Sequence, residues 1–99
     1  MKRFVVSASA RRDLGEIAAH TKKRWGLRQT DRYLEQLEDG FHLLAQGPTM
    51  GRACKTIDSG LRRFEVGRHE VSYRVREEDI RIIRILHQQL IPQKTHFES

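Results

Sequence analysis

One cysteine, Cys54, in 99 residues leaves no internal disulfide framework and no all-cysteine metal site. A single thiol in a β-leading segment reads as a small buried hydrophobe, and the expected compartment is the reducing cytoplasm. No apolar run approaches the roughly 18 residues that a membrane span requires. The opening Met1-Lys2-Arg3-Phe4 has a basic flank, but Arg11 and Arg12 follow too soon for a signal-peptide core. Nucleotide and metal signatures are missing as well: there is no phosphate-binding glycine loop, no dinucleotide fingerprint and no H-E-x-x-H pair. His20, His42, His69, His87 and His96 are scattered, none in a close ligand pair with another histidine or with Cys54, and Ser59 and Ser72 lack a nucleophile-elbow context. No cofactor and no metal are expected.

What is present fits one domain spanning residues 1–99. Hydrophobic residues make up 37% of the chain, enough for a small core, and charged residues 32%. The balance of 19 Lys+Arg against 13 Asp+Glu gives +6. Fourteen of the 19 are arginine, whose planar fork suits bidentate partners such as carboxylate and phosphate. Residues 1–46 carry nine basic and six acidic side chains and residues 47–99 ten and seven, so each half is +3 and no polybasic tail exists. An acidic partner is attracted either way.

The pattern reads strand, two helices, three strands. Phe4-Val5-Val6 is a short β run, and Ser7 or Ser9 can cap the helix that follows. Leu14, Ile17, Ala18, Thr21 and Trp25 recur at helical spacing over about residues 10–25, with Asp13 and Glu16 towards the start and Lys22, Lys23 and Arg24 at the end, as the helix dipole prefers. Gly26 breaks this helix. A second, from about residue 28 to 46, carries Tyr33, Leu34, Leu37, Phe41 and Leu44 on one stripe and ends at Gly47-Pro48. Gly40 inside it suggests close helix–helix approach. The short connection folds the helices into an antiparallel hairpin whose apolar face needs a flat partner.

The second half supplies that partner. Leu61 to Val66 is β-like and Gly67-Arg68 suits a tight hairpin turn. Val71, Tyr73 and Val75 alternate with Glu70, Ser72, Arg74 and Arg76. In the last strand, read as regular, Ile80, Ile82 and Leu86 share a face with Arg84 while Ile83 and Ile85 lie opposite. A strand apolar on both faces is covered on both, by the hairpin on one side and on the other by the C-terminal tail with Leu90, Ile91 and Phe97, a second copy of the chain, or a foreign segment. Arg84 on an apolar face must snorkel, pair with a carboxylate, or line a shallow site for an acidic ligand. His87 projects away from Arg84, so these two do not form a simple acid–base pair. Metal-free RNA cleavage needs a base, phosphorane stabilisation and a proton donor; Arg62, Arg63, Arg84 and His87 supply only part of that set, with Lys55 and Tyr73 the nearest additions.

Together and in order, Ser9-Ala10-x-x-Asp13-Leu14-x-x-Ile17, Trp25-Gly26, Tyr33-Leu34, Pro48-x-x-Gly51-Arg52, Gly60-Leu61-Arg62-Arg63, Gly67-x-His69-x-x-x-Tyr73-Arg74 and Ile83-Arg84-Ile85-Leu86-His87-Gln88 resemble ParE, the toxin of ParD–ParE toxin–antitoxin pairs within the RelE/ParE superfamily. The resemblance covers residues 4 to 92. It implies an α+β, β-α-α-β-β-β fold with an antiparallel sheet packed against the helical hairpin. It implies a non-enzymatic toxin that inhibits DNA gyrase by stabilising the cleaved-DNA state and that is neutralised by a ParD-like antitoxin, whose flexible C-terminal segment folds over the toxin. DNA is then met only through the antitoxin or the gyrase complex, and no membrane is involved. The RelE-type set for ribosome-dependent mRNA cleavage is not reproduced; only Arg62 or Arg63 and His87 lie in comparable regions. That activity is the alternative, and a non-toxic binding module is a third reading. After Gln88 the family commonly continues with a basic residue and Met-Asp, where this chain has Gln89-Leu90-Ile91-Pro92, a departure that bears on gyrase contact. Leu14, Ile17, Trp25, Tyr33, Leu37 and Phe41 are expected to be chiefly hairpin core. The candidate antitoxin or target contacts are Arg62, Arg63, Arg68, Arg84 and His87 as polar anchors, with Trp25 and Tyr33 from the hairpin.

Overall fold

A computed structural model of the chain describes residues 3–53 and 60–88. The elements are β1 (Arg3–Val6), α1 (Ala8–Trp25), α2 (Leu27–Gln46), β2 (Arg52–Ala53), β3 (Leu61–Val66), β4 (His69–Val75) and β5 (Asp79–His87). The expectations for Cys54, Lys55, Ser59, Leu90, Ile91, Phe97 and the rest of the C-terminal tail fall outside the described residues.

The α+β architecture has the expected order, with both helices on one face of a five-stranded sheet ordered β1-β5-β4-β3-β2. Two features go beyond the expected antiparallel sheet. A two-residue strand, β2, adds an edge beside β3, and β1 joins β5 in parallel, which makes the sheet mixed. The parallel pairing follows from the connectivity: α1 and α2 cancel in direction, and β2, β3 and β4 then alternate, so β5 runs the same way as β1.

Ser7 caps α1, its Oγ accepting from the Ala10 amide at 3.0 Å. Because the helix begins at Ala8, its first turn holds no acidic residue. Asp13 lies in the second turn on the buried stripe with Ala10 and Ile17, and it serves the sheet rather than the helix dipole. Gly26, at φ 89°, reverses the chain between the helices in a conformation that side-chain-bearing residues rarely adopt. Trp25 was expected in the core, but it is the last residue of α1, at the hairpin tip, and is 58% exposed. Gly40 also has a different reason from the one expected. A Cβ there would meet Val66 Cγ2 at 2.8 Å, so this glycine permits helix–sheet contact rather than helix–helix contact.

The core joins Ile17, Leu37, Phe41 and Leu44 of the hairpin to Val66, Val71, Tyr73, Ile80, Ile82 and Ile85 of the sheet. Leu14, Leu34 and Tyr33 pack half-buried against it. Tyr73 is wholly buried, and its hydroxyl is satisfied: it donates to the Pro48 carbonyl at 2.7 Å and accepts from the Gly51 amide at 2.9 Å.

The last strand departs most from a regular reading. Ser72 pairs with Arg84 and Tyr73 with Ile82, which leaves Ile83 as an extra residue in a β-bulge. The extra residue resets the alternation. Ile80, Ile82 and Ile85 are all buried towards the helices, whereas Arg84 lies across from Ser72 on the opposite side. Arg84 therefore does not share a face with Ile80 and Ile82, and the strand is not apolar on both sides; Ile83 and Leu86 are only half-buried. Arg84 and His87 do point to opposite faces, as expected, because the strand is regular between them.

Candidate functional site

β1 covers β5 only as far as Ile82, so the β5 edge beyond it needs other hydrogen-bond partners. The start of α1 provides them. Ser7 donates its amide to the Ile82 carbonyl at 3.0 Å and its hydroxyl to the Ile83 carbonyl at 2.9 Å. Asp13 Oδ2 accepts from the Ile85 amide at 2.8 Å and from Arg84 Nε at 2.8 Å, while Oδ1 accepts from Arg84 Nη2 at 3.0 Å. Burial is the largest influence on the Asp13 carboxyl and opposes ionisation. The Arg84 fork, the Ile85 amide and the charges of Arg84 and Arg12 together outweigh it and hold the pKa below its ordinary value. The expected role of Arg84 as an anchor for a partner is thus taken by a carboxylate of its own chain.

At the same end of the sheet, Tyr33 of α2 lies over the β3–β4 turn. Its Oη accepts from the Arg68 amide at 3.0 Å and lies 2.5 Å from His69 Nδ1. A Cβ on Gly67, which has φ 57°, would strike the Tyr33 ring at 2.7 Å, so turn geometry and close approach both require glycine here. The His69 ring meets the edge of His87 at a centroid distance of 5.2 Å. Burial, reinforced by His87 and His20 against the opposing pull of Asp13, pushes the His69 pKa down to about 4. Burial also raises Tyr33, against the Arg68 amide and charge. At neutral pH His69 is therefore uncharged, and Tyr33 Oη bridges His69 Nδ1, the Arg68 amide and the Val66 carbonyl, to which it donates at 3.4 Å.

The structure brings Tyr33, Arg68 and His87 together, adds His69, and sets the Asp13–Arg84 pair close by. It does not bring in the other candidates. Arg62 points towards the helices and donates Nη1 to the Gly51 carbonyl at 2.7 Å, pinning the segment that Tyr73 also holds. Arg63 lies on the opposite face, 3.6 Å from Glu70 Oε1, and Arg52 approaches the other oxygen of Glu70 at 3.4 Å. Trp25 stands alone at the hairpin tip, with the Arg24 guanidinium 5.7 Å from its ring centroid.

Among the described residues Asp13 and Glu70 are the buried carboxylates; the sequence reading gives Asp13 to the helix dipole and names a partner for neither. Asp13 had a signal, since it falls on the apolar stripe of α1, where a charge needs a partner. Chemically, the Tyr33–His69 pair is a part-buried hydrogen bond that engages both groups within the fold. Among the described residues, no group of three His, Cys, Asp or Glu side chains is placed to hold a metal, and no helix is long and apolar enough to cross a membrane.

A hairpin of two helices on one face of a five-stranded mixed sheet is a fold that other small solved proteins share. The solved structure described as a chromosomal ParDE TA system from P. aeruginosa superposes with a TM-score of 0.76 at 20% identity, over 88% of this chain and 96% of that one. The Helicobacter pylori protein HP0894 shares the fold more distantly, with a TM-score of 0.55 at 14% identity over 90% of this chain and 97% of that one. The family model for the ParE toxin of type II toxin–antitoxin system, parDE, matches residues 4–91. Toxin ParE1 of Mycobacterium tuberculosis is 38% identical over 89 residues, covering 89% of this chain and 91% of that protein. Toxin ParE1 of Caulobacter vibrioides is 36% identical over 90 residues, covering 91% and 93%. The chain belongs to the ParE toxin family of type II toxin–antitoxin systems.

Proposed function

We propose that this toxin arrests growth in the bacterial cytoplasm by inhibiting DNA gyrase, holding it in its cleaved-DNA state, and that a ParD-like antitoxin neutralises it. The action is by binding, without turnover. The observation that carries this reading is the family match over residues 4–91, nearly the whole chain. The polar groups support it from the chemical side. Arg62 and Arg84 are spent on Gly51 and Asp13, and Tyr33 and the buried His69 are hydrogen-bonded to each other. A ribonuclease of the RelE kind needs an accessible base and proton donor around a phosphate, and these groups answer each other instead.

For partner contact, Trp25 at 58% exposure and its neighbour Leu27 at 60% are the apolar anchors at the hairpin tip, with Arg68 as an exposed polar one. Large aromatic side chains left in water at a rim of arginine and lysine are the residues that carry binding energy in interfaces. Arg63 remains a secondary anchor beside Glu70, and Tyr33 and His87 act by holding the β3–β4 turn in place.

Two incubations test the reading: purified toxin with gyrase and supercoiled plasmid, and toxin with translating ribosomes and message. Linear plasmid with intact message is the expected result. Message cut in phase with codons overturns it in favour of the RelE-type alternative. Adding purified cognate antitoxin should suppress the linear product.

A further inference from the structure

The first two turns of α2 carry four charges on the face turned away from the core. Arg28, Asp31, Arg32 and Glu35 recur at helical spacing, all are exposed, and with Leu27 they line a shallow surface groove. None of the four has an ion-pair or side-chain hydrogen-bond partner among the described residues. Opposite charges three positions apart, Arg28 with Asp31 and Arg32 with Glu35, do not close to ion-pair distance. Further along the helix Glu38 has His42 one turn on, at 3.9 Å.

This order of charges is poor for a lone helix. Arg28 and Arg32 are like charges one turn apart, as are Asp31 and Glu35, and like charges at that spacing repel. Arg28 also stands in the first turn, which holds no acidic residue and where the helix dipole disfavours a cation. Two antiparallel copies of the helix make the same order complementary. A two-fold axis midway between Asp31 and Arg32 sets Arg28 opposite the partner's Glu35 and Asp31 opposite the partner's Arg32, and symmetry repeats both. Every charge of the stripe then meets its opposite, and Glu35 comes to the first turn of the other helix, where the dipole favours an anion.

We propose that this face of α2 pairs antiparallel with the same face of a second copy of the chain, giving a symmetric toxin dimer. Self-complementarity selects a second copy over a foreign partner. An acidic peptide or a phosphate backbone answers Arg28 and Arg32 but is repelled by Asp31 and Glu35, which alternate with them. Leu27 adds exposed apolar surface at one end of the groove. Two helical turns from each copy make a small interface, so the dimer belongs with weak, concentration-dependent associations. Its ion pairs fix partner and register more than strength. The pairing concerns the free toxin and needs nothing from the gyrase reading above.

The test is sedimentation equilibrium of the full chain from about 10 to 500 µM in about 50 mM salt, with charge-swapped variants. R28E/R32E makes the stripe wholly acidic and D31R/E35R makes it wholly basic; each alone should raise the dimer dissociation constant at least about tenfold. Mixed in equal amounts, the two put opposite charges at every position and should form a heterodimer at least as tight as the wild-type dimer. R28E/D31R/R32E/E35R inverts all four charges and guards against a folding defect. It should self-associate within about threefold of wild type yet fail to pair with wild type, because like charges then face each other. Salt raised to about 500 mM should weaken each of these dimers. A wild-type chain that stays monomeric over the whole range overturns the proposal, also where R28E/R32E loses a foreign partner such as the antitoxin. A dimer that survives R28E/R32E and D31R/E35R overturns it, as does a mixture of those two that does not recover association. Equal pairing of wild type with the fully inverted variant refutes the register and the proposal with it.

Discussion

Replacing Asp13 with alanine removes one carboxylate and three hydrogen bonds, and these are unequal in value. The two from Arg84 go to a guanidinium whose side chain is 46% exposed, so water and salt compete for it. Such a pair contributes about 0.5–1 kcal/mol. The third comes from the Ile85 amide, which is buried and lies past the end of β1, where no strand can take it. A hydrogen bond to a charged acceptor contributes about 1.5–3 kcal/mol, and an orphaned buried amide forfeits all of it. Asp13→Ala should therefore destabilise the fold by about 2–4 kcal/mol, enough to lower the melting midpoint of a chain this size by roughly 10–25 °C. Arg84→Ala keeps the amide bond and should cost only about 1 kcal/mol. Urea titrations of both variants and of the double variant complete a mutant cycle. The acid limb offers a second readout. Because the folded pKa of Asp13 is depressed, its contribution is present above the ordinary value of 3.8 and is lost as pH falls through the folded pKa; that part of the acid transition should shrink in Asp13→Ala. Equal costs for the two single variants, both within 1 kcal/mol of wild type, would refute the idea that this carboxylate serves as the missing edge partner of β5.

His69 should make the protein acid-sensitive well above the carboxylate range. It binds a proton in the unfolded chain near 6.5 but in the fold only near 4, so stability is complete above 6.5 and declines by roughly 3 kcal/mol as pH drops to 4; a His69→Asn variant with the same slope in that window would count against it. Gly51→Ala places a methyl 2.5 Å from the Tyr73 hydroxyl and 2.7 Å from the Arg63 carbonyl, and should cost about 2–3 kcal/mol by thermal melting. Gly15→Ala, with nothing within 4 Å, should instead stabilise α1 by about 0.5–1 kcal/mol. Trp25→Ala should change stability by less than about 0.5 kcal/mol yet weaken antitoxin binding at least tenfold by calorimetry; unchanged affinity would remove the hairpin tip from the interface.

The helices and β3 and β4 could be read from the chain because their signals are local. Tyr33, Leu37, Phe41 and Leu44 repeat at helical spacing, Val71 and Tyr73 alternate with polar neighbours, and glycines stand at the turns. The parts that could not be read depend on contacts between distant residues. Arg84 meets Asp13 across 71 positions, and nothing near either residue announces the other. The bulge at Ile83 is one apolar residue inserted among apolar residues, so period-two counting runs through it and assigns every later side chain to the wrong face. Trp25 fits the stripe of α1 by spacing, but the helix outruns the sheet beneath it, and spacing alone carries no information about where that happens. The Tyr33–His69 contact was half visible: both residues stand in the motifs that carry the family resemblance, but their pairing needs the hairpin placed over the turn.

Bulge and edge repair belong to one device. Without the extra residue, continuing the regular alternation past Ile82 would put Arg84 under the helices and Ile85 on the outer face. With Ile83 absorbed, Ile85 joins the core, His87 reaches His69, and Arg84 emerges at the strand edge where Asp13 can grip it. The local disruption that a bulge brings to the ladder is met by Ser7 and Asp13, both from the segment that opens α1. Helix and strand are thereby tied at the point where pairing to β1 ends, and the sheet keeps its helix side apolar while arginine gathers on the other.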